Sequence, residues 1–266
     1  ERVSSGRVLH DLATYPKIVG GIDDASTERA ATFYESMLDA PVMRVRDAET
    51  AEFSKLAETT YRDVNIALAN ELARAADALG VDAQQAIAAA NSQPYSHVHQ
   101  PGVGVGGHCI PVYPYFIETN ETSLIDAART INDGMAAYAV EKLAAALGGL
   151  AGATVVVLGL AYRANVKESR HSSAFGLVEA LRAAGATAYV HDPLFSDDEV
   201  RAAGLQPPPA FPHACDALVV QAWHATYVGL DLGGFPGLRA VLDGRGALDP
   251  AAVRAAGVAY VGIGRE

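Results

Sequence analysis

From Ala48 to Leu79 the chain reads AETAEFSKLAETTYRDVNIALANELARAADAL, without Gly or Pro, and Leu56, Val64, Leu68, Leu72, Ala75 and Leu79 recur at near-helical spacing. The pattern predicts one long helix stopped at Gly80. A short helix is predicted over DAQQAIAAAN and another from about Ser123 to Leu147. Upstream, PKIVGGI reads as a short buried strand and STERAATFYESMLD as a helix capped by Ser26 or Thr27. PVMRVRD then reads as an edge strand. Strand, helix, strand is half of an α/β unit, so residues 1–47 are read as the tail of an upstream domain. Beyond the linker GGLAGA the pattern changes. TVVVLGLAY is a continuous apolar strand of the kind buried on both faces. SSAFGLVEALRAAG, ATAYVHDP, DDEVRAAG, CDALVVQAW, ALDPAAVRAAG and VAYVGIG then alternate helix and strand. The predicted fold class is α/β: a central helical dimerisation domain over 48–150, then a Rossmann-like, doubly wound parallel sheet over 151–266.

Charge narrows the partners. A formal net charge of −11 argues against general nucleic-acid binding, which needs Lys and Arg to neutralise phosphates. No apolar run reaches the length of a membrane span and no signal-peptide pattern is present, so no membrane partner is expected. With only two cysteines, Cys109 and Cys215, a disulfide framework is not expected and a reducing cytoplasmic setting is. The sequence starts at Glu1 without Met, and its first residues read as mid-protein, so upstream sequence is expected to be missing. The long helix carries an extended apolar stripe that so short a chain does not cover, and a homodimer through this helix is expected.

Gly102, Gly104, Gly106 and Gly107 imitate a dinucleotide fingerprint, but a fingerprint needs a strand before it and a helix after it. Pro111 and Pro114 follow closely and block helix growth. The glycines are read instead as letting the backbone approach a ligand and placing His108 and Cys109. Cys109 is then a nucleophile or an inert packed thiol; spacing does not separate the two. The nucleophile needs a cation nearby. Lys55 is the candidate, with Thr59 one turn later on its face, though a solvated helix lysine has the same pattern. Cys215, before a buried strand, is read as core packing. Arg163, Lys167 and Arg170 follow the first strand of the C-terminal sheet, where a phosphate is able to sit, and Asp192 ends the second, where a ribose contact fits. Ordinary loop charges would look the same. No metal site is expected.

The blocks AEFSKLAETTYRDVNIALANELA, GVGVGGHCIPVYPYF, GLAYRANVKESRHSS and LDGRGALD resemble, in order and spacing over nearly the whole chain, the UDP-glucose/UDP-N-acetylmannosamine dehydrogenase family, more its UDP-N-acetylhexosamine branch. The resemblance implies an NAD-binding Rossmann domain, a helical dimer-forming middle and a UDP-binding Rossmann-like domain, of which this chain resembles the last two and the tail of the first. It implies oxidation of a UDP-sugar C6 alcohol to the carboxylate with two NAD per turnover, through a thiohemiacetal and a thioester on cysteine. Carried over, Cys109 is the nucleophile, Lys55 steadies the oxyanion, and Glu1 handles acid–base or water chemistry. Arg163 and Arg245 lie near the UDP-sugar, whose site the backbone of Gly104, Gly106 and Gly107 lines, and Arg170 approaches NAD.

Departures from the family pattern open a second reading, a non-catalytic UDP-sugar-binding or assembly module. Thr59 stands where the family has Asn, and Tyr113 where it has an Asp that activates water. A tyrosine is no carboxylate base near neutral pH. Arg163 replaces a lysine, and Lys167 with Glu168 replaces an acidic pair.

Overall fold

The computed structural model describes residues 2–3, 6–117, 119 and 121–265. Packing divides the chain into two units, Glu1–Tyr61 with Tyr113–Thr119, and Arg62–Val112 with Asn120–Glu266.

The first unit contains α1 (Val8–Thr14), β1 (Lys17–Val19), α2 (Asp24–Met37), β2 (Val42–Arg44) and residues 48–61 of α3 (Ala48–Leu79). β1 and β2 pair in parallel, with Ile18 opposite Met43. The cap of α2 corrects the sequence reading. Asp23, not Ser26 or Thr27, closes the helix, its carboxylate accepting the Ser26 N–H at 2.6 Å. The Thr27 hydroxyl donates back to the Asp23 carbonyl at 3.1 Å and accepts the Gly21 N–H at 2.9 Å, tying β1 to the helix start.

The second unit takes the rest of α3, then α4 (Ala83–Ala90), α5 (Ser123–Leu147), β3 (Thr154–Leu158), α6 (Ser173–Ala183), β4 (Thr187–His191), α7 (Asp197–Ala202), β5 (Ala217–Val220), β6 (Ala240–Asp243), α8 (Pro250–Ala255) and β7 (Ala259–Gly262). Its five strands are all parallel, in the order β4-β3-β5-β6-β7. Strand alternation divides the core. Val155, Val157 and Val219 face a cluster with Met135 and Leu143 of α5 and Leu177 and Leu181 of α6. Val156, Leu158 and Leu218 face the opposite cluster, with Tyr227, Phe235 and Val253. Each such fully buried leucine stabilises the fold by about 1.5–3 kcal/mol. The fold is therefore α/β, a helical segment followed by a parallel sheet. β6 was not read from the sequence.

On α3 the side turned into the second unit is built of small residues, Ala69, Ala73 and Ala76, with Asp63 and Asn70 among them. Leu68, Leu72 and Leu79 are exposed. Of the stripe read from the periodicity, Leu68, Leu72, Ala75 and Leu79 are thus exposed among the described residues, and Leu56 and Val64 are half-buried. Among the described residues no helix is long and apolar enough to cross a membrane, and no group of His, Cys, Asp or Glu is placed to hold a metal ion.

Candidate functional site

The order β4-β3-β5-β6-β7 reverses direction between β3 and β5, and open parallel sheets bind ligands beyond the strand ends at such a point. The turn after β3 runs through Gly159 into Leu160 and Ala161. It is fixed by Asp192 at the end of β4, whose Oδ2 accepts the N–H groups of Leu160 and Ala161, each at 2.8 Å. The same oxygen accepts from His224 Nε2 at 3.0 Å, and Oδ1 accepts the Leu194 N–H at 2.8 Å. Asp192 is 2% exposed. It is therefore not a ribose contact, as its position in the sequence invited, but the buried anchor of the turn carrying Arg163. Burial pushes its carboxyl up, and the bonds from His224, Ala161 and Leu194 outweigh that and hold it below the usual carboxylate value. His224 Nδ1 accepts the Asn165 N–H at 2.9 Å, so the ring carries its proton on Nε2.

The glycine-rich loop lies against these elements and is held at several points. Gly107, at φ +101°, donates its N–H to the Arg170 carbonyl at 3.0 Å. A Cβ on Gly106 would fall 2.7 Å from Tyr162 Cβ and 2.8 Å from the His171 carbonyl oxygen, so only glycine permits the approach. Arg245, after β6, donates from Nε to the Gln221 carbonyl at 2.5 Å, from Nη2 to Ser173 Oγ at 3.1 Å, and from Nη1 to the Gly104 carbonyl at 3.4 Å. Enclosure lowers its guanidinium to about 10, which leaves it charged at neutral pH. Arg245 thus staples loop to sheet. Arg163 and Arg170 are exposed on the turn after β3, as is Lys167, which pairs with Glu199 at 2.6 Å.

At the end of this loop Cys109 is half-buried and free of any disulfide. His108 beside it places Nε2 3.1 Å from Glu168 Oε2. Glu168 also accepts the Arg170 N–H, which with His108 holds its carboxyl below the usual range. Cys215 is buried as expected, and burial pushes its thiol up to about 12. Tyr113 opens a short helical turn, Tyr113–Phe116, with its ring stacked on Phe116 at 5.5 Å.

In the first unit, half-buried Lys55 borders a cavity of about 160 Å³ together with Arg2, Lys17 and Tyr34. Thr59 is buried, and its hydroxyl donates to the Lys55 carbonyl at 2.9 Å, sharing the Leu56 carbonyl at 3.1 Å. Its single donor is spent on its own helix. Glu1 lies outside the described residues.

Sequence reasoning missed Gln221, fully buried at the end of β5. Its Nε2 donates to Ser172 Oγ at 2.7 Å and to the Ala161 carbonyl at 3.1 Å. The signal was present: a polar residue ending an apolar strand beside the sheet's reversal point.

Two models of one family match this chain. The central domain of the UDP-glucose/GDP-mannose dehydrogenase family matches residues 49–134, and its UDP binding domain matches residues 156–250. The chain belongs to the UDP-glucose/GDP-mannose dehydrogenase family. It is 40% identical to the UDP-N-acetyl-D-mannosamine dehydrogenase of Methanococcus maripaludis over 197 residues, 73% of this chain and 46% of that protein. Among solved structures, the UDP-D-ManNAc dehydrogenase of Pyrococcus horikoshii is 34% identical with a TM-score of 0.87, over 100% of this chain and 63% of that one. The NDP-N-acetyl-D-galactosaminuronic acid dehydrogenase of Methanosarcina mazei is 30% identical with a TM-score of 0.89, over 100% and 61%. The chain spans about half the length of the curated relatives it matches.

Proposed function

We propose that this chain is the substrate-binding and thiol-bearing part of an NAD-dependent dehydrogenase that oxidises the C6 alcohol of a UDP-N-acetylhexosamine or UDP-hexose to the uronic acid. The observation that carries the reading is the contrast between two thiols: Cys109 is half-buried at the end of a loop held by hydrogen bonds, and Cys215 is sealed in the core. In this reading Cys109 Sγ attacks the C6 aldehyde, a C–S bond forms, and the carbonyl oxygen becomes an oxyanion. Lys55 is the cation assigned to that oxyanion, Thr59 its neighbour, and Glu1 the residue for acid–base or water handling. Two hydrides must leave C6, one to give the aldehyde and one to turn the thiol adduct into a thioester, and NAD would take both; water then adds to the thioester carbonyl, the C–S bond breaks, Cys109 leaves as thiolate, and the acid departs. Arg163 and the loop backbone at Gly104, Gly106 and Gly107 receive the UDP-sugar. Arg245 acts there by holding Gly104.

The oxidation requires NAD. The residues around β3 do not build a site for it: one glycine, Gly159, follows the strand, and Gly104 packs against Ser173 at the N-terminus of α6, where a pyrophosphate would lie. Arg170, exposed, is assigned to it as a contact rather than a cradle. The three parts at 1–47, 48–150 and 151–266 serve in this reading as the tail of an NAD domain, a dimer-forming middle and a UDP domain. The exposed Leu68, Leu72 and Leu79 supply the homodimer surface.

One observation favours a non-catalytic UDP-sugar-binding module: the Thr59 donor is committed to the Lys55 carbonyl. NADH formation by the full-length protein with a panel of UDP-sugars separates the two. Turnover establishes the enzyme; UDP-sugar binding without NADH establishes the module.

A further inference from the structure

Between α3, α5 and the glycine-rich loop runs an ordered chain of buried polar side chains to which the chemistry above assigns nothing. Arg129 of α5 donates from Nη1 to Asp63 Oδ1 of α3 at 2.7 Å, and its Nη2 pairs with Asp133. Asn132 Nδ2 donates to the same Asp63 Oδ1 at 2.8 Å and to the Asp63 carbonyl at 3.0 Å. Asn132 Oδ1 accepts from Asn70 Nδ2 at 2.9 Å, and Asn70 Oδ1 accepts the backbone N–H of Gly102 at 2.9 Å. Asp63, Asn70 and Asn132 are each no more than 2% exposed, and Arg129 is 5% exposed.

The order of donors and acceptors leaves each amide one orientation. Asp63 offers only acceptors to Asn132, so Asn132 turns its NH₂ toward α3 and its oxygen toward Asn70. Asn70 must then give its NH₂ to Asn132 and keep its oxygen for Gly102. Reversing either amide would set acceptor against acceptor in a dry interior, where an unmet polar group is costly. The far end of this relay is the first glycine of the loop that ends in Cys109. Its other ties, Arg245 to Gly104 and Gly107 to Arg170, bind it to elements of the sheet.

We infer that Asn70, oriented through Asn132 and Asp63, is a positioning residue that sets the entry of the Cys109 loop from the helical side. Asn70 holds the loop directly, and Asn132 acts only through Asn70. The inference rests on the proposed function in taking Cys109 as the thiol that needs placing, but its test requires only a thiol.

Native 266-residue chain is treated with iodoacetamide well below its thermal midpoint, and the alkylation rate of Cys109 is read by mass spectrometry with Cys215 as the sealed reference. Asn132→Ala, two bonds away from the loop, should raise the Cys109 rate about fivefold, as should Asn70→Ala. Asn132→Ser, which keeps one donor, should give an intermediate rate. Leu143→Ala, which opens the core of the same unit without touching the relay, should lower the thermal midpoint and leave the rate unchanged. Equal rates in wild type and Asn132→Ala, or an equal rise in Leu143→Ala, would overturn the inference. Where the asparagine variants do not fold, amide exchange at Gly102 in the unmodified chain decides. A protected Gly102 N–H supports the relay, and one that exchanges as fast as a surface amide refutes it. Loss of NADH formation with these rates intact would count against the proposed function alone.

Discussion

His224 and Asp192, 32 residues apart in the chain, meet in the interior with Nε2 3.0 Å from Oδ2, and both are almost wholly withdrawn from solvent. The pair closes the reversal point of the sheet from inside. It fixes the turn after β3 through the Leu160 and Ala161 N–H groups and the Asn165 segment through the other ring nitrogen. The exposed Arg163 therefore projects from a turn held at several points, as its proposed role toward the UDP-sugar requires.

Acid should weaken this turn in a defined direction. The Asp192 carboxyl is held below its ordinary value of 3.8, so its ionised form stabilises the folded chain. That contribution is fully present above the ordinary value and is lost as pH falls through the lower, folded one. Asp192→Asn should lower stability by about 2–4 kcal/mol at pH 7. In thermal melts taken at successively lower pH, the gap between wild type and variant should narrow below the ordinary carboxylate value. A gap independent of pH would show that the carboxylate charge is not what stabilises the turn.

Gly106→Ala tests the close approach of loop and sheet. The new methyl group meets Tyr162 Cβ and the His171 carbonyl oxygen, and carbonyl backbone yields little. Destabilisation of about 1–3 kcal/mol is expected, with weaker UDP-sugar binding by calorimetry. Wild-type stability in denaturant titration would mean that the loop does not lie as close as described.

The leucines on α3 bear on assembly. Leu68 is 47% exposed and Leu72 is 42% exposed on a helix whose inward side carries alanines with Asp63 and Asn70 among them. Leu68→Glu with Leu72→Glu should turn a homodimer into a monomer in sedimentation velocity while the helical circular dichroism is kept. A wild-type chain that is monomeric at high concentration would remove the proposed dimer surface.

Much of the fold was legible where local signals are long. α3 and α5 have the bounds that their periodicity predicts, because over such lengths the helical period has no competitor. β6 is four residues, three of them apolar and the last Asp243, inside LRAVLDGR, too short for periodicity to define, and α1 has no side-chain cap to announce it. Of the candidate site, one loop stood out in the sequence: GVGVGGHC marked itself by its glycines. The groups that hold the loop were not. Asn70 and Asn132 are 62 residues apart, and Asp192 reads as a ligand contact until its four bonds are seen. Buried polar networks are made by tertiary packing, and no local pattern encodes them. Arg245 illustrates both sides, since its resemblance marked it as near the substrate while its hydrogen bonds put it inside the fold.

Cys109 carries the central claim, and stoichiometry tests it most directly. The full-length protein is incubated with NAD and each of a panel of UDP-sugars, with Cys109→Ser in parallel, and NADH is counted against sugar consumed. The account predicts two NADH per sugar with one of the UDP-sugars and no uronic acid from the serine variant. Uronic acid formed at the wild-type rate by Cys109→Ser, or no NADH from the wild type with any sugar that it binds, would contradict it.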